Sequence, residues 1–203
     1  MKKHIVFDID GTILDTTEPL VISMQAALAS IGRHYDTEDL KIYMGITGID
    51  TMKRLNVENG EEVLHLWEEL LKEESWRIKV YDGISEVIAA LLKKGYQLGL
   101  VTSKSREELN EDWSRIPHAD RFSTVVCASD TAEHKPNPEP LLKYLEKAGV
   151  SPDDALYVGD SEYDMCCAKG AGVDFMLAGW GAINRALPVE TILEHPSDLL
   201  QYV

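Results

Sequence analysis

Positive charge is scarce in this sequence. Its 203 residues hold 20 Lys and Arg against 35 Asp and Glu, a formal charge of −15. No run of Lys or Arg exceeds two residues, so no basic stripe exists to follow a phosphodiester backbone or an anionic bilayer. Nucleic acid and membrane surfaces are therefore poor partners. Long apolar runs are missing too, and none approaches the ~20 residues needed to cross a bilayer. The few residues before Asp8 do not read as a secretory signal, which points to the cytoplasm. Cysteine is rare. Cys127, Cys166 and Cys167 make an odd count with two neighbours in sequence, which fits neither a disulfide framework nor a zinc site. They read as small core residues of a reducing compartment.

What is present is ordinary globular material, 44% hydrophobic and 27% charged. Short β-branched or apolar runs recur at His4–Phe7, Tyr96–Val101, Ser123–Cys127, Ala155–Val158 and Val173–Leu177. Helical patterns separate the later ones, at Ile84–Lys94, Pro138–Ala148 and Glu162–Lys169, closed by Gly95, Gly149 and the Gly170/Gly172 pair. Strands alternating with helices read as a doubly wound parallel sheet of five strands, an α/β fold. One stretch breaks the alternation. Residues 16–81 show no convincing strand but carry helical spacing over Pro19–Ile31 and Glu61–Trp76, with shorter candidates at Thr37–Tyr43 and Asp50–Leu55. The chain thus divides into an α/β core domain, 1–15 and 82–203, and a small all-helical cap domain, 16–81. An insertion after the first strand projects from the carboxyl ends of the strands, where α/β folds hold ligands, and can act as a lid. Trp67 and Trp76 fit either a core or a contact between copies, so the oligomeric state stays open.

The sequence Asp8-Ile9-Asp10-Gly11-Thr12 places two carboxylates at the end of a buried strand. Residues i and i+2 point the same way, and two such acids cannot both stay ionised without a cation or a proton. An Asx turn is the bland alternative. Other strand ends decide between them. The second strand ends in Thr102-Ser103, a Pro-stiffened loop carries Lys135, and the fourth strand ends Gly159-Asp160-Ser161-Glu162-Tyr163-Asp164. Acids, hydroxyl and Lys meeting at one edge of one sheet fit a phosphate group and a hard divalent cation, with Mg²⁺ the natural choice for carboxylate oxygens. The loop after the fifth strand, Gly179–Arg185, either lines the entrance or is a turn with a packed Trp.

These residues resemble the haloacid dehalogenase superfamily, in its phosphoglycolate phosphatase-like branch with a helical cap after strand one. Asp8–Thr12 matches the D-x-D-G-T motif, Thr102 the second motif, Lys135 the third, and Gly159–Asp164 the G-D-S-x-x-D form of the fourth. The resemblance implies a Mg²⁺-dependent phosphatase acting on a small phosphorylated metabolite, a phosphoglycolate-like or sugar phosphate. It implies Asp8 as nucleophile forming an aspartyl-phosphate and Asp10 as general acid, then base. It implies Mg²⁺ held by Asp8, the Asp10 carbonyl and Asp160, with Asp164 as a supporting acid, and phosphate held by Gly11, Thr102, Ser103 and Lys135. Dehalogenases lack the acid at Asp10. β-Phosphoglucomutase-like members carry a His where Leu20 stands, and phosphonoacetaldehyde hydrolases use a cap Lys that Pro19–Ile31 lacks. Pyrophosphatase or mutase chemistry within the superfamily remains an alternative, and a non-catalytic or phospho-accepting signalling domain is the alternative of another class. The cap loop Tyr43–Ile49 is expected to face the site; without Arg or Lys it offers little grip on a second anionic group such as the carboxylate of phosphoglycolate, but Lys53 and Arg54 stand close enough to offset that argument.

Overall fold

The structure, a computed structural model, describes residues 2–203. In chain order the strands are β1 His4–Phe7, β2 Leu14–Asp15, β3 Lys79–Val80, β4 Gln97–Val101, β5 Phe122–Val126, β6 Ala155–Gly159, β7 Asp174–Ala178 and β8 Ile192–Leu193. The helices are α1 Thr17–Ser30, α2 Thr37–Leu40, α3 Gly48–Arg54, α4 Gly60–Glu74, α5 Ile84–Lys93, α6 Arg106–Asp112, α7 Glu139–Ala148 and α8 Glu162–Ala171. The main sheet runs β5-β4-β1-β6-β7-β8, and every pairing in it is parallel.

Burial on both faces explains why the strands read as unbroken apolar runs rather than alternating ones. On one face Ile5 and Phe7 of β1 join Leu98, Leu100, Leu156 and Val158 against Ile84, Val87, Ile88 and Leu91 of α5. On the other, Val6 and Tyr157 pack on Leu141, Tyr144 and Leu145 of α7 and on Cys167 and Ala168 of α8. Each such side chain contributes about 1.5–3 kcal/mol through burial. The cysteines are unpaired, with Cys127 and Cys167 buried in the two layers.

The sheet has six strands, not five. The extra one, β8, is two residues long, too short to show any periodicity. A second correction concerns 16–81. Lys79–Val80 pairs antiparallel with Leu14–Asp15, so a small ribbon joins the two ends of the helical insertion where it leaves and rejoins the sheet. The insertion has its own core of Val21, Met24, Leu28, Leu40, Met52, Val63 and Trp67. The Trp67 indole donates to Leu20 O at 3.1 Å and Ser23 Oγ at 3.0 Å, so its burial leaves no polar atom stranded. Trp76 is instead 70% exposed beneath the Arg77 guanidinium. No helix is long and apolar enough to cross a membrane.

Gly99 tests how tightly this core closes. A Cβ there would lie 2.1 Å from Tyr144 Cε2. The Tyr144 hydroxyl is tied to His4 Nδ1 at 3.0 Å, so the ring is not free to swing aside. Gly99→Ala is expected to cost about 1–3 kcal/mol by overpacking. A urea midpoint equal to that of the unaltered protein would show that the layer yields.

Candidate active site

The site begins where β1 ends. Asp8 N still donates to Val158 O at 2.9 Å, continuing the ladder for one residue. The chain then turns tightly, with the N–H groups of Thr12, Ile13 and Leu14 all converging on Ile9 O. Gly11 takes φ +76° in that turn, and a Cβ on it would stand 2.3 Å from Asp160 Oδ2. Only glycine lets the turn close over Asp160. The loop after β7 braces it from outside, since Trp180 Nε1 donates to Thr12 O at 2.9 Å and Gly181 lies against Gly11 O. Trp180 therefore packs as a structural prop.

Three carboxylates meet beneath this turn. Asp8, Asp160 and Asp164 each offer an oxygen, all within 4.8 Å of one another, and all three residues are buried. Lys135, itself 2% exposed, reaches among them. Its Nζ donates to Asp8 Oδ1 at 2.9 Å, Asp164 Oδ1 at 2.7 Å and Tyr157 OH at 3.2 Å. Asp164 has little capacity left, because Tyr157 OH donates to Oδ1 at 2.8 Å while the Ser161 N–H and hydroxyl donate to Oδ2. Ser161 also caps α8, accepting from Asp164 N at 3.2 Å. Asp160 receives the Thr12 hydroxyl at 3.1 Å.

One cation among three buried acids leaves an excess of negative charge. Burial pushes the Asp8 carboxyl up to about 7, with Lys135 opposing and Asp164 and Asp10 adding to the rise. Burial, then Asp164 and Asp8, hold Asp160 well above the usual carboxylate range. For Lys135, burial works against the charged form, but Asp164 and Asp8 outweigh it and the ammonium is held more firmly than usual. A buried set of hard oxygens short of positive charge is the environment a divalent cation such as Mg²⁺ suits.

Asp10 and Asp8 face a common cavity of about 50 Å³. By the measure in which one water needs roughly 10–15 Å³, the cavity has room for only a small group. The cap loop Tyr43–Ile46 forms part of its wall, as expected. Thr102 is buried at the end of β4 with its Oγ accepting from Lys104 N at 3.2 Å. Ser103 lines the cavity, but its hydroxyl is committed to Gly45 O of the cap loop at 2.8 Å, so it ties cap to core. Tyr163 does the same farther out, donating to Ile42 O and accepting from Arg54.

Sequence reasoning missed Lys104. It is 5% exposed and stands 3.0 Å from Asp10 Oδ1 and 2.9 Å from Asp112 Oδ2. Its direction toward Asp10 suits charge pairing but not a hydrogen bond, so Asp10 Oδ1 is buried without a donor. A Lys in a loop after a strand ordinarily reads as surface, and the only signal was its place two residues beyond Thr102. Tyr157 was missed because it reads as one more apolar strand residue.

Comparison with known proteins follows from this geometry. The family description "Haloacid dehalogenase-like hydrolase" matches residues 5–178. The chain is similar to pyrophosphatase PpaX of Bacillus mycoides, at 30% identity over 97% of this chain and 94% of that protein. A Bacillus cereus pyrophosphatase PpaX is 31% identical over the same shares. Among solved structures, a Lactobacillus plantarum protein named provisionally as a phosphoglycolate phosphatase superposes with a TM-score of 0.91 at 31% identity, each chain covered completely. CbbY from Rhodobacter sphaeroides, solved with phosphate, shares the fold with a TM-score of 0.83 at 21% identity over 98% of this chain and 96% of that one.

The charge imbalance has a measurable consequence. Because the folded-state value for Asp8 lies near 7 rather than 3.8, ionising it costs the folded state more than the unfolded one. Its contribution to stability is therefore full below about 4 and is lost as pH rises through about 7. In chelator, Asp8→Asn should melt higher than the unaltered protein at pH 8, by an amount on the order of a few kcal/mol, with the gap shrinking toward pH 5. An equal gap at both pH values would show that Asp8 is already ionised at the lower one.

Proposed function

The chain belongs to the haloacid dehalogenase-like hydrolases and is a phosphatase, and from that premise we propose that it hydrolyses a small phosphomonoester by double displacement at Asp8. The observation that carries this reading is the Asp8–Lys135 ion pair, set beside Asp160 and Asp164 under a cavity that Asp10 also faces.

The Asp8 carboxylate attacks phosphorus and the bond from phosphorus to the ester oxygen breaks. Asp10, whose buried Oδ1 has no hydrogen-bond donor, gives its proton to the departing oxygen. In the second half, the Asp10 carboxylate takes a proton from water as that water attacks the aspartyl-phosphate. Inorganic phosphate leaves and Asp8 is regenerated. Lys135 keeps Asp8 oriented and offsets charge that gathers on the phosphoryl oxygens. Thr102 and the backbone of the Gly11 turn would bind those oxygens. Ser103 would act through its backbone, since its hydroxyl holds Gly45. Asp8, the Asp10 carbonyl and Asp160 would hold Mg²⁺, which when bound supplies positive charge to the phosphoryl group. The engagement of both Asp164 oxygens supports a role for Asp164 in positioning Lys135 and the α8 cap. The unpaired thiols support a cytoplasmic setting.

The names of the Bacillus relatives favour one second reading, hydrolysis of pyrophosphate, with the same chemistry at Asp8 and phosphate as the leaving group.

Phosphate release from a panel of small esters and pyrophosphate, with Mg²⁺ and with chelator, tests the chemistry. Asp8→Asn is expected to lose at least about 10³-fold in turnover, and Asp10→Asn about 10²–10⁴-fold. Chelator is expected to abolish release. Turnover that survives in Asp8→Asn would overturn the covalent route.

A further inference from the structure

The cavity over Asp8 carries information about the leaving group. Asp8 and Asp10 line it. Much of its wall is apolar cap surface, including Leu20, Met44, Ile46 and Trp67. Two more carboxylates line it, Glu68 of α4 and Glu108 of α6. Glu108 has one oxygen engaged, accepting from Ser105 N at 2.6 Å. Glu68 makes no hydrogen bond or ion pair among the described residues. Burial, then Glu108, raises its carboxyl above the usual range.

Positive charge in this cavity is already spent. Among the described residues that line it, Lys104 is the cation, and it is buried between Asp10 at 3.0 Å and Asp112 at 2.9 Å. Lys135 lies behind Asp8, shared with Asp164. Lys53 and Arg54 of α3 are turned elsewhere, to Asp50 and to Tyr163. Lys72, one turn from Glu68, is paired with Glu111 at 3.0 Å, so a second anionic group in the cavity would meet two glutamates and no unpaired cation among the described lining residues.

We infer that the leaving group carries hydrogen-bond donors and no negative charge, a hydroxylated or ammonium-bearing alcohol, and that Glu68 reads those donors and rejects a second acid. This rests on the phosphatase reading above and deepens it. A carboxylate accepts from a hydroxyl or an ammonium and repels a carboxylate or phosphate held beside it.

The test compares kcat/KM for glycerol phosphate and ethanolamine phosphate with that for phosphoglycolate and pyrophosphate. The comparison is made in the unaltered protein, in Glu68→Gln and in Glu68→Lys. Ratios within one variant are insensitive to the fraction that folds. The unaltered protein should favour at least one donor-bearing ester by about tenfold or more over both anionic substrates. Glu68→Gln should narrow that ratio, and Glu68→Lys should narrow it further or reverse it. A preference for phosphoglycolate or pyrophosphate would overturn the inference while leaving the Asp8 chemistry standing. So would a ratio unmoved by both substitutions. Release from none of the four would count against the phosphatase reading itself, and the inference would fall with it.

Discussion

The contact of Lys135 with Asp8 and Asp164 is the interaction on which the rest of the site depends. Three carboxylates are buried within reach of one another, and one ammonium offsets part of their charge. Burying such a group is costly unless every partner is satisfied. Here Lys135 directs hydrogen bonds to Asp8, Asp164 and Tyr157, and Tyr157 in turn donates to Asp164 and approaches Val101 O. The network links the loop before α7, the ends of β1 and β6, and the start of α8. What it leaves unbalanced is negative charge beside Asp8. A buried deficit of positive charge of this kind is the setting that a divalent cation suits.

Topology explains why those groups meet. In a parallel sheet every strand delivers its carboxyl end to one edge, so Asp8, Thr102 and Asp160 arrive together from β1, β4 and β6. The helical insertion leaves from that edge after β2 and returns through β3, and the β2–β3 ribbon holds its two ends together. The polar contacts that fasten the cap run from Ser103 to Gly45, from Tyr163 to Ile42 and Arg54, from His134 to Asp50 and from Lys72 to Glu111. Contacts of this kind stand in contrast to the apolar core inside the insertion, which is closed on itself.

Much of the site was legible because its residues sit at strand ends with unusual neighbours. Asp8 and Asp10 follow a strongly apolar run, Gly11 supplies the positive φ of the turn, and Ser161 with Asp164 forms a capping box readable from spacing. Helices α1, α4, α5, α7 and α8 were visible through apolar periodicity or glycine stops. The short strands β2, β3 and β8 were not, because two residues carry no period and pair only through tertiary contact. The pairing of Lys104 and the tie made by the Ser103 hydroxyl were not legible for a related reason. Their roles depend on which residue of a distant segment they face, Asp112 and Asp10 for one and Gly45 for the other.

The sequence by itself determined the parallel α/β core, the helical insertion after β1, and the placing of Asp8, Asp10 and Asp160 at strand ends with Lys135 in a loop that reaches them. Those follow from local patterns of apolarity and from charged groups placed where strands end. Only the tertiary structure decided how charge is distributed around the cavity. It joined Lys104 to Asp10 and Asp112, brought Glu68 of the cap and Glu108 of the core to one cavity, and turned Ser103 toward Gly45. Charge pairing acts between groups far apart in sequence, and the reach of one side chain is settled only when the chain has folded around it.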